Sequence, residues 1–377
     1  MTSGVQQPAA VIVGGGVIGL SLAYELVTRS WQVTLLERGE VGRKASWAGA
    51  GILPPANHES AHHPLEQLAG LTVQLHPTWA RRLADETGID TGYRRCGGLY
   101  LALTGGEVAA LHGQAATWRE EQIAVERLTL DELKTWEPAL TVPVESRAIK
   151  AAYRLPDEAQ LRNPRHLAAL AQACRQRGVR LVEQAAVTGF RTRGSRIAAV
   201  VTSQGEFSGD QVCLTAGAWS SLLLRDLGVE TGVLPIRGQM ILFRTERPLL
   251  QQIVSAGPRY LVPRDDGRLL AGSTEEDVGF APETTAEGLQ ELQAFATRLV
   301  PALRDAQIER TWAGLRPGTY DGLPYLGQLP GWSNLVVAAG HFRNGLYLSP
   351  ATAVVIADLL EERPPPIDLR LFRVSRG

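Results

Sequence analysis

The chain has 377 residues, enough for two domains or one large one. At 44% hydrophobic and 20% charged, with 39 glycines and 22 prolines spread along its length, it has the composition of a soluble globular protein rather than a fibrous or disordered one. A formal net charge of −1 promises no polyanionic partner, and only three lysines, Lys44, Lys134 and Lys150, stand among the 38 basic residues, which leaves little for Schiff-base chemistry.

The first elements are read from AVIVGGGVIGLSLAYEL (10–26), a buried strand, a glycine turn and a helix, followed by QVTLLE (32–37), a second strand that ends in Glu37. The opening apolar run is too short and too glycine-rich for a membrane span, and no basic segment precedes it as in a secretory signal. Gly14, Gly16 and Gly19 satisfy GxGxxG between strand and helix, with Glu37 closing the next strand. Gly14 permits the tight turn, Gly16 lets the backbone approach a pyrophosphate, and Gly19 allows close packing of helix on strand. Val17 and Ile18 open the helix, whose first N–H groups suit a phosphate, and Glu37 can accept from ribose hydroxyls. The pattern predicts a dinucleotide site without separating NAD from FAD.

GRKASWAGAGIL (42–53) supplies small residues that would let a loop lie flat against a cofactor. HESAH (58–62) satisfies HExxH by letter. Pro54, Pro55 and Pro64 flank it too closely for a regular helix, and Leu68 stands where a third histidine would, so a polar loop is expected and no metal. Leu65, Leu68, Leu71, Leu75, Trp79 and Leu83 follow at helical spacing, with Pro77 expected to divide them into two helices. Residues 90 to 150 alternate short pieces without a clear period. NPRHLAALAQACRQRGV (163–179) reads as a helix capped by Asn163, opened by Pro164 and stopped at Gly178. Short strands then run to VCLTAGAWS (212–220), and strands at 239–244, 259–263 and 268–272 predict an antiparallel sheet. A helix at about 285–300 leads to WAGLRPG (312–318), the strand NLVVAAG (334–340) and a last helix from about 345 to 362.

Cys96, Cys174 and Cys213 are far apart and odd in number, which fits a reducing, cytoplasmic setting. No basic stripe with interleaved aromatics calls for nucleic acid. The order of elements predicts an α/β fold: a discontinuous Rossmann-like domain whose last piece returns to its first, with a mostly antiparallel β-sheet domain inserted.

The opening βαβ unit, SWAGAGIL (46–53), PIRGQ (235–239), YLVPR (260–264), WAGLRPGTYDGLPYLG (312–327) and AAGHFRNGLYLSPAT (338–352) together resemble the glycine oxidase branch of the D-amino-acid oxidase family, with matches along nearly the whole chain. The resemblance implies FAD as cofactor, and an FAD-binding domain formed by 1–88, 152–228 and 312–377 around a substrate domain of 89–151 and 229–311. It adds Arg38, Ala45, Ser46, Ala50, Gly51 and Ile52 to the cofactor contacts and puts the Val187 backbone at the adenine. His341, Phe342, Arg343, Asn344, Gly345, Leu346 and Tyr347 would lie beside the isoalloxazine, where Arg343 offers positive potential to the reduced ring. Arg316 would clamp a substrate carboxylate with Tyr260 as a hydroxyl donor, although a plain half-buried strand aromatic is the competing reading of Tyr260. Ile52, Arg343 and Glu275 would border the substrate. Glu275 stands where an apolar methionine can line the pocket, Pro258 where a histidine can stand, and Ile52 at another methionine-type position.

The implied reaction is hydride transfer from the Cα of glycine or another small amino acid to flavin N5. It yields an imine, then a 2-oxo acid and ammonia, and hydrogen peroxide from oxygen, in the service of thiamine thiazole synthesis. Members with a covalent flavin use a cysteine near the ring; none lies in 311–347, so a dissociable FAD is expected. The alternatives are a D-amino-acid dehydrogenase, a sarcosine-type oxidase, or a flavin-containing subunit without activity of its own. A homo-oligomer is compatible with any of these.

Overall fold

The computed structural model describes residues 7–376. It begins with the expected unit: β1 (Ala9–Val13), α1 (Val17–Thr28) and β2 (Gln32–Leu36). β1 is apolar at every position and almost wholly buried, as a central parallel strand covered on both faces must be. α1 is apolar around most of its circumference because it packs on the sheet and on further helices at once.

α2 (Pro64–Thr87) is one continuous helix, where the sequence predicted a break at Pro77. A proline there removes a hydrogen bond and crowds the preceding turn. Packing on both sides outweighs that loss. Leu68 and Thr72 before it and Trp79 and Leu83 after it are buried. Trp79 meets Tyr24 edge-on at 5.3 Å, and His76 Nε2 lies 2.8 Å from the Tyr347 carbonyl. His63 caps the helix and Gly88 ends it at φ 72°. The HESAH segment before it is turn and loop, as expected, with His58 Nδ1 2.9 Å from the Gln67 carbonyl and His62 exposed.

Three strands of the larger sheet follow, β3 (Gly98–Ala102), β4 (Glu126–Leu128) and β5 (Ala151–Leu155). α3 (Asn163–Gln176) begins one residue earlier than predicted. Asn163 is its first residue rather than its cap, and its Nδ2 donates to the Ser46 carbonyl at 2.7 Å, so a tertiary contact claimed the side chain that the sequence assigned to the helix end. Next come β6 (Arg180–Val182), β7 (Gln211–Leu214), β8 (Leu234–Arg244), β9 (Ile253–Ala256), β10 (Arg259–Pro263) and β11 (Arg268–Gly272). α4 (Ala286–Leu299), β12 (Gln307–Gly318), β13 (Tyr325–Gln328), β14 (Leu335–Ala339) and α5 (Gly345–Leu360) complete the framework.

Two large sheets organise these elements. The six-stranded sheet runs β13-β14-β7-β1-β2-β6, parallel throughout except for β13 on β14. It gathers strands from both ends of the chain, with apolar cores on each face. The eight-stranded sheet runs β12-β8-β11-β10-β9-β3-β5-β4 and is antiparallel except between β9 and β3. A separate core lies on this sheet, built with α4. The segment limits expected at 151 and 311 fall inside β5 and β12, both strands of the larger sheet. Among the described residues, no helix is long and apolar enough to cross a membrane.

β8 and β12 matter most for the site. They pair from Leu234 opposite Gly318 to Arg244 opposite Gln307. Midway along β12, opposite Met240, Trp312 reaches the short helical turn Ala45–Ala48 that follows β2, its Nε1 donating to the Ala48 carbonyl at 3.0 Å.

Candidate active site

The carboxyl ends of β1, β2, β7 and β14 open on one crevice, the usual ligand position in an open parallel sheet. Gly14 turns the chain out of β1 at φ 110°; a Cβ there would stand 2.5 Å from the Thr215 carbonyl oxygen. A Cβ on Gly19 would stand 2.0 Å from the Gly14 carbonyl oxygen, so both glycines are required by packing within the protein. Gly16 is different: its Cβ would meet only Ser46 Oγ, at 3.2 Å, and otherwise face open crevice. Ser46 Oγ in turn accepts from Val17 N–H at 2.9 Å, which fixes the loop against the start of α1. Glu37 is buried, and its two carboxylate oxygens accept from Gly15 N–H at 2.8 Å and Gly39 N–H at 3.0 Å. Those two bonds hold the side chain in place and leave lone pairs toward the crevice.

The crevice is a cavity of about 450 Å³, inside the roughly 300–1,000 Å³ of small-molecule and cofactor sites. Gly14, Gly16, Val17, Ile18, Glu37, Arg38, Ala45, Ser46 and Val187 line it, as do His341, Phe342, Arg343, Gly345, Leu346 and Arg316. A second cavity of about 180 Å³ adjoins it. Ala50, Gly51, Ile52, Tyr260, Asn344 and Tyr347 line this one, and Ala45, Arg316, Arg343 and Leu346 border both. Of the predicted site residues only Gly19 and Glu275 line neither.

Arg316 projects from β12 at the junction of the cavities. Its Nη2 donates to Ser273 Oγ at 2.7 Å and its Nη1 to the Thr274 carbonyl at 3.2 Å. The guanidinium lies over Gly238 of β8: a Cβ there would be 2.1 Å from either Nη. Burial pulls its pKa below the ordinary arginine value, opposed by Tyr260, with Arg343 adding to the lowering. The group remains a cation at neutral pH. Tyr260, half-buried on β10, keeps its hydroxyl 3.6 Å from Met240 Sδ and also faces the second cavity.

The turn after β14 is flanked by two glycines that act differently. Gly340 has φ 81°, and a Cβ on it would press Thr319 Cγ2 at 2.5 Å. Gly345 opens α5 at the cavity wall with no close neighbour. His341 is buried, bonds Thr352 Oγ1 at 3.1 Å, and is pushed down to about 3 by burial, so it is neutral at physiological pH. Arg343 is paired with Glu275, and its Nη1 donates to the Pro258 carbonyl at 3.2 Å. Glu275 therefore meets the site through Arg343 rather than by lining it.

Sequence reasoning passed over several wall residues. Thr215 to Trp219 line the larger cavity after β7, Lys44 joins them, and Asn163 borders both cavities. The small residues of TAGAW after an apolar run were the available signal for the first group. Gly238 and Ser273, which seat Arg316, carried none, because their role exists only across strands.

The group such a crevice takes can be tested on its own atoms. A glycine turn that crowds the protein everywhere but at Gly16, an acid clamped at the end of β2, and the buried Asn163 Oδ1 with no protein partner at the shared wall fit an extended dinucleotide that carries a ring system into the Arg316 end. The chain is 40% identical over 359 residues to a glycine oxidase of Pseudomonas aeruginosa, covering 95% of this chain and 96% of that one. It is 36% identical to the bifunctional protein ThiO/ThiG of Synechocystis, covering 95% of this chain and 52% of that one. The crystal structure of glycine oxidase from Geobacillus kaustophilus superposes with a TM-score of 0.92 at 36% identity, covering 98% and 100% of the two chains. The family model described as FAD dependent oxidoreductase matches residues 9–359, and a dinucleotide crevice closed by both ends of the chain accords with it: the chain belongs to the FAD dependent oxidoreductase family.

Proposed function

We propose that this chain is an FAD-dependent oxidase of glycine or another small amino acid. The observation that carries this reading is Arg316, a half-buried guanidinium with neutral protein partners, at the point where the small cavity joins the large one. A partly desolvated cation without an ion-pair partner among the described residues suits an anionic ligand, and a planar fork matches a carboxylate with two parallel hydrogen bonds. Tyr260 adds a hydroxyl donor from the neighbouring strand. The small second cavity leaves little room beyond a short side chain.

Gly16, the start of α1, Glu37 and the 341–347 turn would hold FAD, which would supply the acceptor for a hydride from Cα, with oxygen as the final oxidant and hydrogen peroxide as its product. The residues around it bind and orient. Arg316 and Tyr260 fix the carboxylate, which fixes Cα relative to the cavity wall. No side chain is assigned as base: His341 is neutral and bonded to Thr352, and a substrate amine that has lost its proton to solvent needs none. The imine released from the substrate hydrolyses to a 2-oxo acid and ammonia. With glycine the same imine suits thiazole assembly, a reading supported by the alignment with 52% of the length of a bifunctional ThiO/ThiG protein. None of Cys96, Cys174 and Cys213 lines either cavity, which supports a dissociable FAD.

The deciding experiment is the visible spectrum of the purified protein followed by anaerobic titration with glycine, sarcosine and D-alanine, with peroxide measured in air. Bleaching of a flavin band by a small amino acid and stoichiometric peroxide are expected. A flavin that no amine bleaches would leave a carrier subunit, and dye reduction without oxygen uptake would make the protein a dehydrogenase.

A further inference from the structure

The substrate cavity holds two guanidinium groups in different electrostatic states. Arg316 has only neutral partners, and among the described residues no carboxylate is ion-paired with it. Arg343 borders both cavities, yet each of its three guanidinium nitrogens already has a protein acceptor: Nε and Nη2 go to Glu275 Oε2, the former at 3.1 Å, and Nη1 goes to the Pro258 carbonyl. Glu275 is half-exposed and lines neither cavity; its charge acts on the site mainly through the pair with Arg343 and more weakly on Arg316, whose pKa it raises.

We propose that Glu275 sets the substrate class by masking Arg343, so that the pocket accepts amines with one carboxylate and disfavours those with two. This rests on the reading that Arg316 grips a substrate carboxylate. A second carboxylate extended toward Arg343 meets a guanidinium with three of its five N–H donors engaged and its charge offset by Glu275 behind it, the like-charge element by which a site rejects a competitor. With Glu275 neutral, the fork of Arg343 turns into a second carboxylate receptor beside the first.

The test compares the FAD-loaded wild type, Glu275→Gln and the double variant Glu275→Gln/Arg343→Gln. Sarcosine and iminodiacetate are the substrates, two N-substituted glycines that differ in whether the substituent ends in a carboxylate. Acetate and malonate, which carry no amine to oxidise, are titrated separately by calorimetry. Glu275→Gln is expected to raise the iminodiacetate-to-sarcosine ratio of kcat/KM, and the malonate-to-acetate ratio of affinities, at least tenfold. Removing Arg343 as well should return both toward the wild-type values. Ratios that stay unchanged in Glu275→Gln, or rise equally in the double variant, overturn the proposal. If none of the three proteins oxidises any amine, the functional reading fails, and the malonate-to-acetate ratio still decides the role of Glu275.

Discussion

Arg316 shows how much one side chain depends on a neighbour that has none. Its identity as an arginine in GLRPG is visible in the sequence, but its orientation is set by Gly238 across the β8–β12 pair and by Ser273 and Thr274 beyond it. Arg316→Ala is expected to raise the KM for any amino-acid substrate while bound FAD is retained. The loss should be about 2–5 kcal/mol of transition-state binding, because truncation leaves a desolvated carboxylate unpaired. Steady-state kinetics beside the flavin spectrum measure both, and unchanged kinetics would remove Arg316 from the site. Gly238→Ala is expected to reproduce much of that defect with the arginine still present, since the added methyl occupies the space of both Nη atoms. A Gly238→Ala enzyme with wild-type KM would show that the guanidinium has another productive position.

At the level of elements, the glycine turn was the most legible part of the chain, since strand, turn, helix and closing acid all occur within 37 residues and interact locally. Its glycines are nevertheless not equivalent. Gly19→Ala should prevent stable folding or loosen α1 from β1, because its Cβ would overlap the Gly14 carbonyl. Gly16→Ala should leave the fold near wild type and weaken FAD retention, which gel filtration with absorbance at the flavin band would separate. Equal loss of fold in both would contradict the assignment of Gly16 to the cofactor side. Pro77 and Asn163 were read by local rules that tertiary contacts overrode. The helix through Pro77 is held by Trp79, Leu83 and His76 on its neighbours, and Asn163 binds Ser46 across the crevice instead of its own helix end.

Across the whole molecule, buried titratable groups tie stability to pH. Burial pushes His76 down to about 4, and His166 and His341 down to about 3. In the unfolded chain each histidine takes up a proton below about pH 6.5. The unfolded state then binds more protons, so these groups reduce stability as pH falls from about 6.5 toward 4. Glu137 and Glu158, pushed up to about 7 by burial, act in the opposite sense: protonated in the fold and ionised when unfolded, they reduce stability as pH rises from about 4.5 to 7. Near pH 5 three histidines outweigh two carboxyls that are already partly protonated in the unfolded chain. The melting temperature is expected to drop between pH 6.5 and 5, and to drop less in His166→Phe, whose ring nitrogens have no protein partner to lose. Scanning calorimetry of both proteins at the two pH values checks this; parallel drops would acquit His166.

The sequence by itself determined the βαβ unit, its glycine spacing, the acid at Glu37, and an arginine and a glycine-flanked turn near the carboxyl end, because each is carried by residues close along the chain. Only the tertiary structure decided that Gly238 seats Arg316, that Glu275 occupies Arg343, and that Asn163 belongs to the crevice. Those pairings join residues 68 or more positions apart, and their partners are chosen by strand register and helix packing, which no local pattern encodes.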